Sequence, residues 1–348
     1  MNLLGEHTDY NDGFVLPMAL PFETVLRADR REDATISLRS EGYGQSEFAI
    51  DALPAEVDLW ARYVLGMVAI LAEEGVAATG FDADITTTIP VGASLSSSAA
   101  LEVATGFALY EFAGLDPDPA AIAKAGQRVE NEVIGINSGI MDQLISAAAH
   151  EGAAMLIDCR SLELTPVRLP ADVSVVIMDT MTRRELVDSE YDRRRASCEQ
   201  ASSDIGVSHL RDAQPEDLDR VVDPVDARRA RHVVSENQRV LDAVESLGDG
   251  DAAAFGELMN GSHDSLRDDY EVSSDALDAI VMAARVQPSC LGARMTGGGF
   301  AGCAVALVRA SDADTFATAV AAAYNDDFEV TPDLWIVEPA AGASVSTT

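Results

Sequence analysis

The sequence predicts an α+β protein of two domains, in which two layers of helices and strands meet at a cleft. The chain has 348 residues, which is more than one typical domain requires. Its hydrophobic content of 47% is enough to build a core despite a high charge. Strand-like and helix-like segments alternate along the chain, which favours mixed layers. The segment Ser161–Pro170 resembles a crossover, so we expect domains at residues 1–168 and 169–348.

Strands are predicted where β-branched or alternating apolar runs end at turn residues: Phe14–Leu20, Thr24–Ala28, Thr35–Leu38, Ala83–Thr88, Val173–Met178 and Cys303–Val308. Apolar residues at helical spacing predict helices over Val57–Glu74, Ser97–Ala113, Pro119–Val133 and Ala227–Leu247, and a further helix from near Gly139. Gly114 and Gly248 are expected to end two of them. The helix Ser97–Ala113 is expected to carry one apolar stripe, formed by Ala100, Val103, Ala104, Phe107 and Ala108.

The charge of the chain excludes two classes of partner. There are 59 acidic and 24 basic residues, which gives a net charge of −35, and the only lysine is Lys124. Such a charge repels nucleic acids and anionic membranes, so we expect neither as a partner. This net charge also indicates a halophilic protein, because molar salt shortens the Debye length to ~3 Å and so screens the repulsion among the acidic residues. The alternative is an ordinary acidic cytosolic enzyme.

The four cysteines predict neither a disulfide framework nor a metal site. Cys159, Cys198, Cys290 and Cys303 form no CxxC pair and show no metal-ligand spacing with the histidines. We therefore expect thiols in a reduced, cytoplasmic setting. No apolar run reaches the ~20 residues of a membrane span. No signal peptide is expected either, because the chain opens directly on a polar motif.

That motif, residues 2–13, places three polar side chains close together. Glu6, His7 and Asp9 lie between Gly5 and the turn-forming run 11–13. A site that hydrogen-bonds several hydroxyls rejects analogues that lack them, so this cluster suits a polyhydroxylated ligand. The alternative is a polar surface turn before a strand.

The loop Gly92–Ser98 has the composition of an anion-binding cradle. Small residues let backbone N–H groups approach phosphate oxygens, and the helix that begins there adds the positive end of its dipole. The hydroxyls of Ser96, Ser97 and Ser98 can bind phosphate or Mg²⁺. The alternative is a serine-rich helix N-cap. It is not a Walker A loop, because Lys124 is flanked by alanines.

Two carboxylates and a glycine run complete the set of candidates. A pair such as Glu130 and Asp142, one on a metal and one near the nucleophile, suits phosphoryl transfer. The alternatives are a charged face shared by Glu130 with Glu132, and a helix N-terminal carboxylate at Asp142. The run 297–302 matches the pattern GxGxxG, but a strand is predicted after it where a dinucleotide site needs a helix. The alternative for the run 297–302 is a tight turn. The arginine runs 193–195 and 228–231 are expected to form local salt bridges.

Three of these segments together resemble one family of kinases. Residues 2–13 resemble the galactokinase signature Gly-Arg-x-Asn-Leu-Ile-Gly-Glu-His-x-Asp-Tyr. Residues 90–100 resemble the phosphate loop of the galactose/homoserine/mevalonate/phosphomevalonate (GHMP) kinase superfamily, and residues 294–302 resemble its third motif. Weaker similarities lie at 139–143 and 189–199. The first motif is specific to galactokinases, whereas the other two identify only the superfamily.

The resemblance implies the two-domain GHMP-kinase fold, with an N-terminal domain like domain 2 of ribosomal protein S5, a ferredoxin-like C-terminal domain and an active site in the cleft. It implies phosphorylation of D-galactose at C1 by ATP with Mg²⁺, in a monomer. Asp142 would be the catalytic base, and Ser98 and Glu130 the metal ligands. It assigns the remaining candidates to the sugar (Glu6, His7, Asp9, Gly139, Asp142 and Tyr191) and to ATP (Gly92, Ser94, Ser96, Ser97, Ser98 and Gly298).

Two departures from the family pattern bear on these expectations. Ser94 stands where the family usually has glycine, and it fits without strain only if its φ is negative. The family's arginine two residues before Asn2 is absent, and we expect a misplaced start codon that hides an upstream Pro-Gly-Arg. Two other functions stay open: a kinase for N-acetylgalactosamine, arabinose or galacturonate, and a sensor that binds galactose and ATP without turnover.

Overall fold

The computed structural model describes residues 1–50, 57–90, 92–183 and 188–347, except for the side chains of 188 and 189. Contacts divide the chain into two compact units. Unit 1 contains Met1–Leu20, Val91–Leu95 and His150–Ala340, and unit 2 contains Pro21–Pro90, Ser96–Ala149 and Ala341–Thr348. These units are not consecutive segments, and the division into domains 1–168 and 169–348 stays a prediction. No helix among the described residues is long and apolar enough to cross a membrane.

The described residues form strands and helices whose bounds are as follows. The strands are β1 Phe14–Val15, β2 Thr24–Arg30, β3 Thr35–Ser40, β4 Gly44–Ala49, β5 Phe81–Thr87, β6 Ala154–Asp158, β7 Glu163–Val167, β8 Val173–Asp179, β9 Cys290–Met295, β10 Cys303–Arg309 and β11 Asp333–Val337. The α-helices are α1 Leu59–Glu73, α2 Ser97–Ala113, α3 Pro119–Arg128, α4 Met141–Ala148, α5 Asp188–Ile205, α6 Pro224–Gly248, α7 Ala252–Asp268, α8 Asp275–Arg285 and α9 Ala313–Phe328.

Unit 2 packs helices α1 to α4 with one four-stranded sheet. The strand order is β2-β5-β3-β4, with β3 and β5 parallel and the other pairs antiparallel. Asp118 caps α3 by accepting from the N–H groups of Ala120 and Ala121 at 3.0 and 3.1 Å, ahead of Pro119 at the first helical position. A π-helical turn, Val129–Ile134, follows α3 and places Glu130. Such turns are frequent at functional sites.

Unit 1 contains two antiparallel sheets. A small sheet has the order β1-β6-β7, and a larger one the order β11-β8-β10-β9. Strands β8 and β10 are central and buried almost throughout, which explains their continuous apolar sequence. A bend at residues 297–302 joins β9 to β10, so the strand expected after the glycine run is confirmed.

Several expectations from the sequence need correction. The first strand is only Phe14–Val15, the segment Ser161–Pro170 contains strand β7, and β4 was missed. The single stripe expected on α2 is wrong, because that helix is buried on several sides, with Leu101, Thr105 and Leu109 also inside. Gly114 ends α2 in the left-handed conformation as expected, whereas Gly248 is the last residue of α6 and Asp249 follows as its cap.

Candidate active site

The N-terminal turn, residues 2–13, is mostly buried and held by internal hydrogen bonds. Glu6 and His7 are each 4% exposed, which rules out the simple surface turn. Thr8 Oγ1 donates to the carbonyl oxygens of Gly5 and Phe14 at 2.8 and 2.7 Å. Asn11 Nδ2 donates to the carbonyl oxygen of His7 at 3.0 Å. These side chains hold the turn, and with it the positions of the candidate sugar ligands.

Glu6 joins the N-terminal turn to the third motif. Its Oε1 accepts from the backbone N–H of Gly297 at 2.7 Å and from Thr296 Oγ1 at 3.1 Å. The fully buried Arg294 lies 3.4 Å from the same oxygen. The carboxylate therefore anchors the start of the glycine loop, residues 297–302, beside the candidate sugar motif.

A second buried carboxylate supports the turn from α6. Glu236 is fully buried and accepts from the Gly5 N–H at 3.0 Å, from Ser262 Oγ at 2.6 Å and from Arg239 Nε at 2.6 Å. Burial works against its charged form, but Arg239 and the other neighbouring cations outweigh it and hold its pKa at about 2. Glu236 therefore stays ionised beneath the turn. The sequence did not single out Glu236, because it is one of many polar residues in the long helix α6.

Three tyrosines surround the ring of His7. Its centroid lies 5.9 Å from that of Tyr10, 5.5 Å from that of Tyr191 and 4.8 Å from that of Tyr270. Tyr191 was proposed from the sequence, and unit 1 places it beside His7. Asp9 lies on the same turn, half-buried, where its Oδ1 accepts from the Tyr10 N–H at 3.0 Å.

The first half of the serine loop, as we call residues 92–98, lies in unit 1, against the glycine loop. Ser94 has a φ of +61°, so the condition of a negative φ is not met and its backbone is strained. A Cβ added to Gly302 would lie 2.7 Å from Ser94 Oγ, which shows how closely the two loops approach. Gly298 is half-buried in the same bend, and Gly92 is exposed beside Arg183.

The second half of the serine loop begins α2 in unit 2. Ser96 has a φ of +61°, and its side chain makes no capping hydrogen bond, so the N-cap interpretation is not supported. Ser98 Oγ donates to Glu130 Oε1 at 3.0 Å. Glu132, by contrast, is exposed and paired with Arg128 at 2.8 Å, so the shared charged face proposed as an alternative does not describe Glu130.

A third carboxylate accompanies Glu130 and Asp142. Glu102 is fully buried on α2, and its Oε2 accepts from Gln143 Nε2 at 3.1 Å. Burial raises its pKa well above the ordinary value, and the charges of Glu130 and Asp142 add to this. Burial also raises the pKa of Glu130. Asp142 is half-buried in the first turn of α4, and Gly139 lies buried just before that helix.

These oxygens fit a hard cation in their chemistry. A hydroxyl and a carboxylate 3.0 Å apart are ligand types that Mg²⁺ accepts. A cation there would offset the burial and the carboxylate repulsion that together raise the pKa values of Glu102 and Glu130. Within the part of the chain that the structure describes, no three His, Cys, Asp or Glu side chains are grouped to hold a metal by themselves. Mg²⁺ commonly takes few protein ligands and completes its shell with water and phosphate.

Three family models match this chain, and a solved galactokinase is similar to it. The model for the galactokinase galactose-binding signature matches residues 1–30, and those for the GHMP kinase N-terminal and C-terminal domains match 62–150 and 242–326. The chain is similar to a Lactococcus lactis galactokinase solved with galactose, at 36% identity over 99% of this chain and 92% of that one, with a TM-score of 0.94.

More distant structures share the fold. A Methanococcus jannaschii mevalonate kinase is 17% identical over 97% of this chain and 95% of that one, with a TM-score of 0.65. A homoserine kinase from Cytophaga hutchinsonii is 17% identical over 97% and 92%, with a TM-score of 0.58. The two-domain α+β fold expected from the sequence is thus confirmed, and the chain belongs to the galactokinase family of the GHMP kinases.

Proposed function

We propose that this protein transfers the γ-phosphoryl group of ATP to the C1 hydroxyl of D-galactose, which gives galactose 1-phosphate and ADP. The observation that carries the proposal is the match of residues 1–30 to a galactose-binding signature, in a chain 36% identical to a galactokinase solved with galactose. The buried, hydrogen-bonded N-terminal turn supports it, because pre-organised polar groups are what selective binding of hydroxyls requires.

Glu6, His7, Asp9, Tyr191 and Gly139 would hold the sugar. Asp142 would take the proton of the C1 hydroxyl as its oxygen bonds to the γ-phosphorus and the bond from that phosphorus to the bridging oxygen breaks. Its position in the first turn of α4 suits this role, because the helix dipole favours a carboxylate there.

The phosphates would lie along the serine loop and the glycine loop. Gly92, Ser94, Ser96, Ser97 and Gly298 would offer backbone N–H groups and hydroxyls to phosphate oxygens. Ser98 and Glu130 would hold Mg²⁺, which supplies charge neutralisation to the transferring phosphoryl group. We also propose a cytoplasmic monomer; a reducing compartment suits four cysteines that are all free thiols.

The test is sugar-dependent release of ADP with Mg²⁺, compared across galactose, N-acetylgalactosamine, arabinose and galacturonate. We expect the highest kcat/KM for galactose. Asp142→Asn should abolish turnover and retain ATP binding, whereas Asp116→Asn, on an exposed residue of the same unit, should leave the rate unchanged. A higher kcat/KM for another sugar would contradict the proposal, as would binding of galactose and ATP without turnover.

A further inference from the structure

A chain of hydrogen bonds runs from His7 into the core of unit 1. His7 Nδ1 lies 2.8 Å from Tyr10 Oη, which lies 2.7 Å from Tyr270 Oη, which lies 3.2 Å from Cys198 Sγ. Tyr270 and Cys198 are 0% and 1% exposed. Neither side chain is exposed to a ligand, and the hydrogen bonds connect both of them to His7 through Tyr10.

Tyr10, Tyr270 and Cys198, the inner members of this row of hydrogen bonds, each carry their proton at neutral pH. Burial raises the pKa of Tyr10 and of Tyr270 well above the ordinary value for tyrosine. Burial also raises the pKa of the Cys198 thiol to about 11. This row of hydrogen bonds therefore holds one hydrogen at each oxygen and one at the sulfur, and each hydrogen can serve only one of the three bonds.

The relative acidity of phenol and imidazole favours the direction toward His7. A phenol O–H is more acidic than an imidazole N–H, and an imidazole nitrogen is a better acceptor than a phenol oxygen, so Tyr10 donates to Nδ1. The phenol hydrogen of Tyr10 is then committed to Nδ1, so the 2.7 Å contact between Tyr10 Oη and Tyr270 Oη needs Tyr270 as its donor. The phenol hydrogen of Tyr270 is committed in turn, so Cys198 donates its S–H to Tyr270 Oη across 3.2 Å.

We propose that Cys198, Tyr270 and Tyr10 form a one-directional hydrogen-bond relay that holds neutral His7 with its ring proton on Nε2, as a donor to a hydroxyl oxygen of the ligand. Tyr10, Tyr270 and Cys198 are thus positioning residues. The rings of Tyr191 and Tyr270, at 5.5 and 4.8 Å from that of His7, fix its plane. The identity of the ligand as a sugar rests on the proposed function, but the tautomer does not.

The direct test is ¹⁵N NMR of the histidine rings in the full-length protein. The chain has five histidines, and loss of one ring signal set in His7→Gln assigns His7. We expect a protonated Nε2 and an unprotonated, hydrogen-bonded Nδ1. In Tyr270→Phe the ¹⁵N chemical shift of His7 Nδ1 should move toward the value of an imidazole nitrogen that accepts no hydrogen bond. Tyr324→Phe is the matched control, because Tyr324 is buried and donates to the Thr180 carbonyl oxygen at 3.0 Å, outside the relay.

Cys198 offers a second pair of variants should Tyr270→Phe fold poorly. Cys198→Ser keeps a donor and should preserve the Nδ1 shift, whereas Cys198→Ala removes it and should change that shift. A protonated Nδ1 in the wild type would overturn the proposal. An Nδ1 shift that neither Tyr270→Phe nor Cys198→Ala alters would overturn it as well.

Kinetics supply an independent readout. Tyr270→Phe should raise the KM for galactose by about threefold to tenfold, the effect of weakening one hydrogen bond, and leave kcat and the KM for ATP nearly unchanged. A lower melting temperature with an unchanged KM for galactose would indicate a purely structural role and contradict the relay. If the wild type does not turn over galactose, the proposed function fails, and the NMR result still decides the relay.

Discussion

Glu102 carries a carboxyl group of the candidate site whose pKa lies well above the ordinary value. It is fully buried, beside Gln143 and near Glu130 and Asp142, and burial raises its pKa. A raised pKa in the folded state contributes stability that is present below the ordinary pKa and is lost as pH rises through the raised value. Without a cation, the wild type should therefore lose stability toward alkaline pH.

Glu102→Gln should remove this loss. With a chelator present, we expect the wild type to lose about 1–3 kcal/mol of unfolding free energy between about pH 5 and about pH 8 relative to the variant. Urea unfolding at both pH values measures the difference. Glu111→Gln, an exposed position on the same helix, serves as the control. If the unfolding free energy depended on pH equally in wild type and Glu102→Gln, burial would not disfavour the ionised form of the Glu102 carboxyl group.

The close approach of Ser94 and Gly302 leads to a second prediction. Gly302 has a φ of +89°, and a Cβ there would lie 2.7 Å from Ser94 Oγ. Gly250 has a φ of +75° and open space around it. Gly250→Ala should cost ~1 kcal/mol of stability from the backbone alone. Gly302→Ala should cost about 1–3 kcal/mol more, because the side chain must also displace the serine loop.

Chemical denaturation of the two variants measures that difference, and the KM for ATP should rise only in Gly302→Ala. Equal destabilisation would mean that the contact between the loops is unimportant.

Among single residues, the sequence named candidate ligands, whose roles stay predictions, but not the residues that support them. Glu6, His7 and Tyr191 were found through a motif, and the structure gathers them in unit 1. Tyr270 and Glu236 were missed because their partners are 260 and 231 residues away along the chain, a separation that only the fold brings together. Glu102 could have been suspected, since it is the only charged residue between Ser97 and Tyr110 in a helix otherwise rich in apolar residues.

Among the elements, the N-terminal turn and the glycine loop depend on one shared carboxylate. Glu6 Oε1 receives hydrogen bonds from Thr296 and Gly297 and lies near the buried Arg294. Glu6→Gln removes the negative charge 3.4 Å from that guanidinium, and breaking a buried pair costs about 3–5 kcal/mol. We expect a loss of that order in urea unfolding. Glu163→Gln, an exposed residue of β7, should have no measurable effect. A neutral Glu6→Gln would show that the anchor is dispensable.

The elements that the sequence predicted well have strong local signals. Helix α2 has the predicted bounds, and β8 and β10 follow continuous apolar runs. Strand β4, with sequence GQSEFA and one face open to solvent, lacks such a run. The arginine runs form salt bridges as expected. Arg195 pairs with Glu199 on its own helix at 3.1 Å, and Arg231 pairs with Asp269, 38 residues further along, at 2.9 Å.

The charge of the whole molecule determines how it should respond to salt. At a net charge of −35, repulsion among surface carboxylates opposes folding in dilute salt. Raising KCl from about 0.1 M to about 1 M shortens the Debye length from ~10 Å to ~3 Å. We expect the melting temperature to rise over this series by several degrees. A melting temperature that stays constant or falls would contradict the halophilic interpretation.

The central claim is the transfer of phosphate to C1 of galactose, and the product tests it most directly. The measurement is ³¹P NMR of the mixture formed from ATP, Mg²⁺ and galactose. We predict a phosphomonoester signal split by the anomeric proton, together with ADP. A phosphate on another carbon, or ADP with inorganic phosphate and no sugar phosphate, would contradict the account.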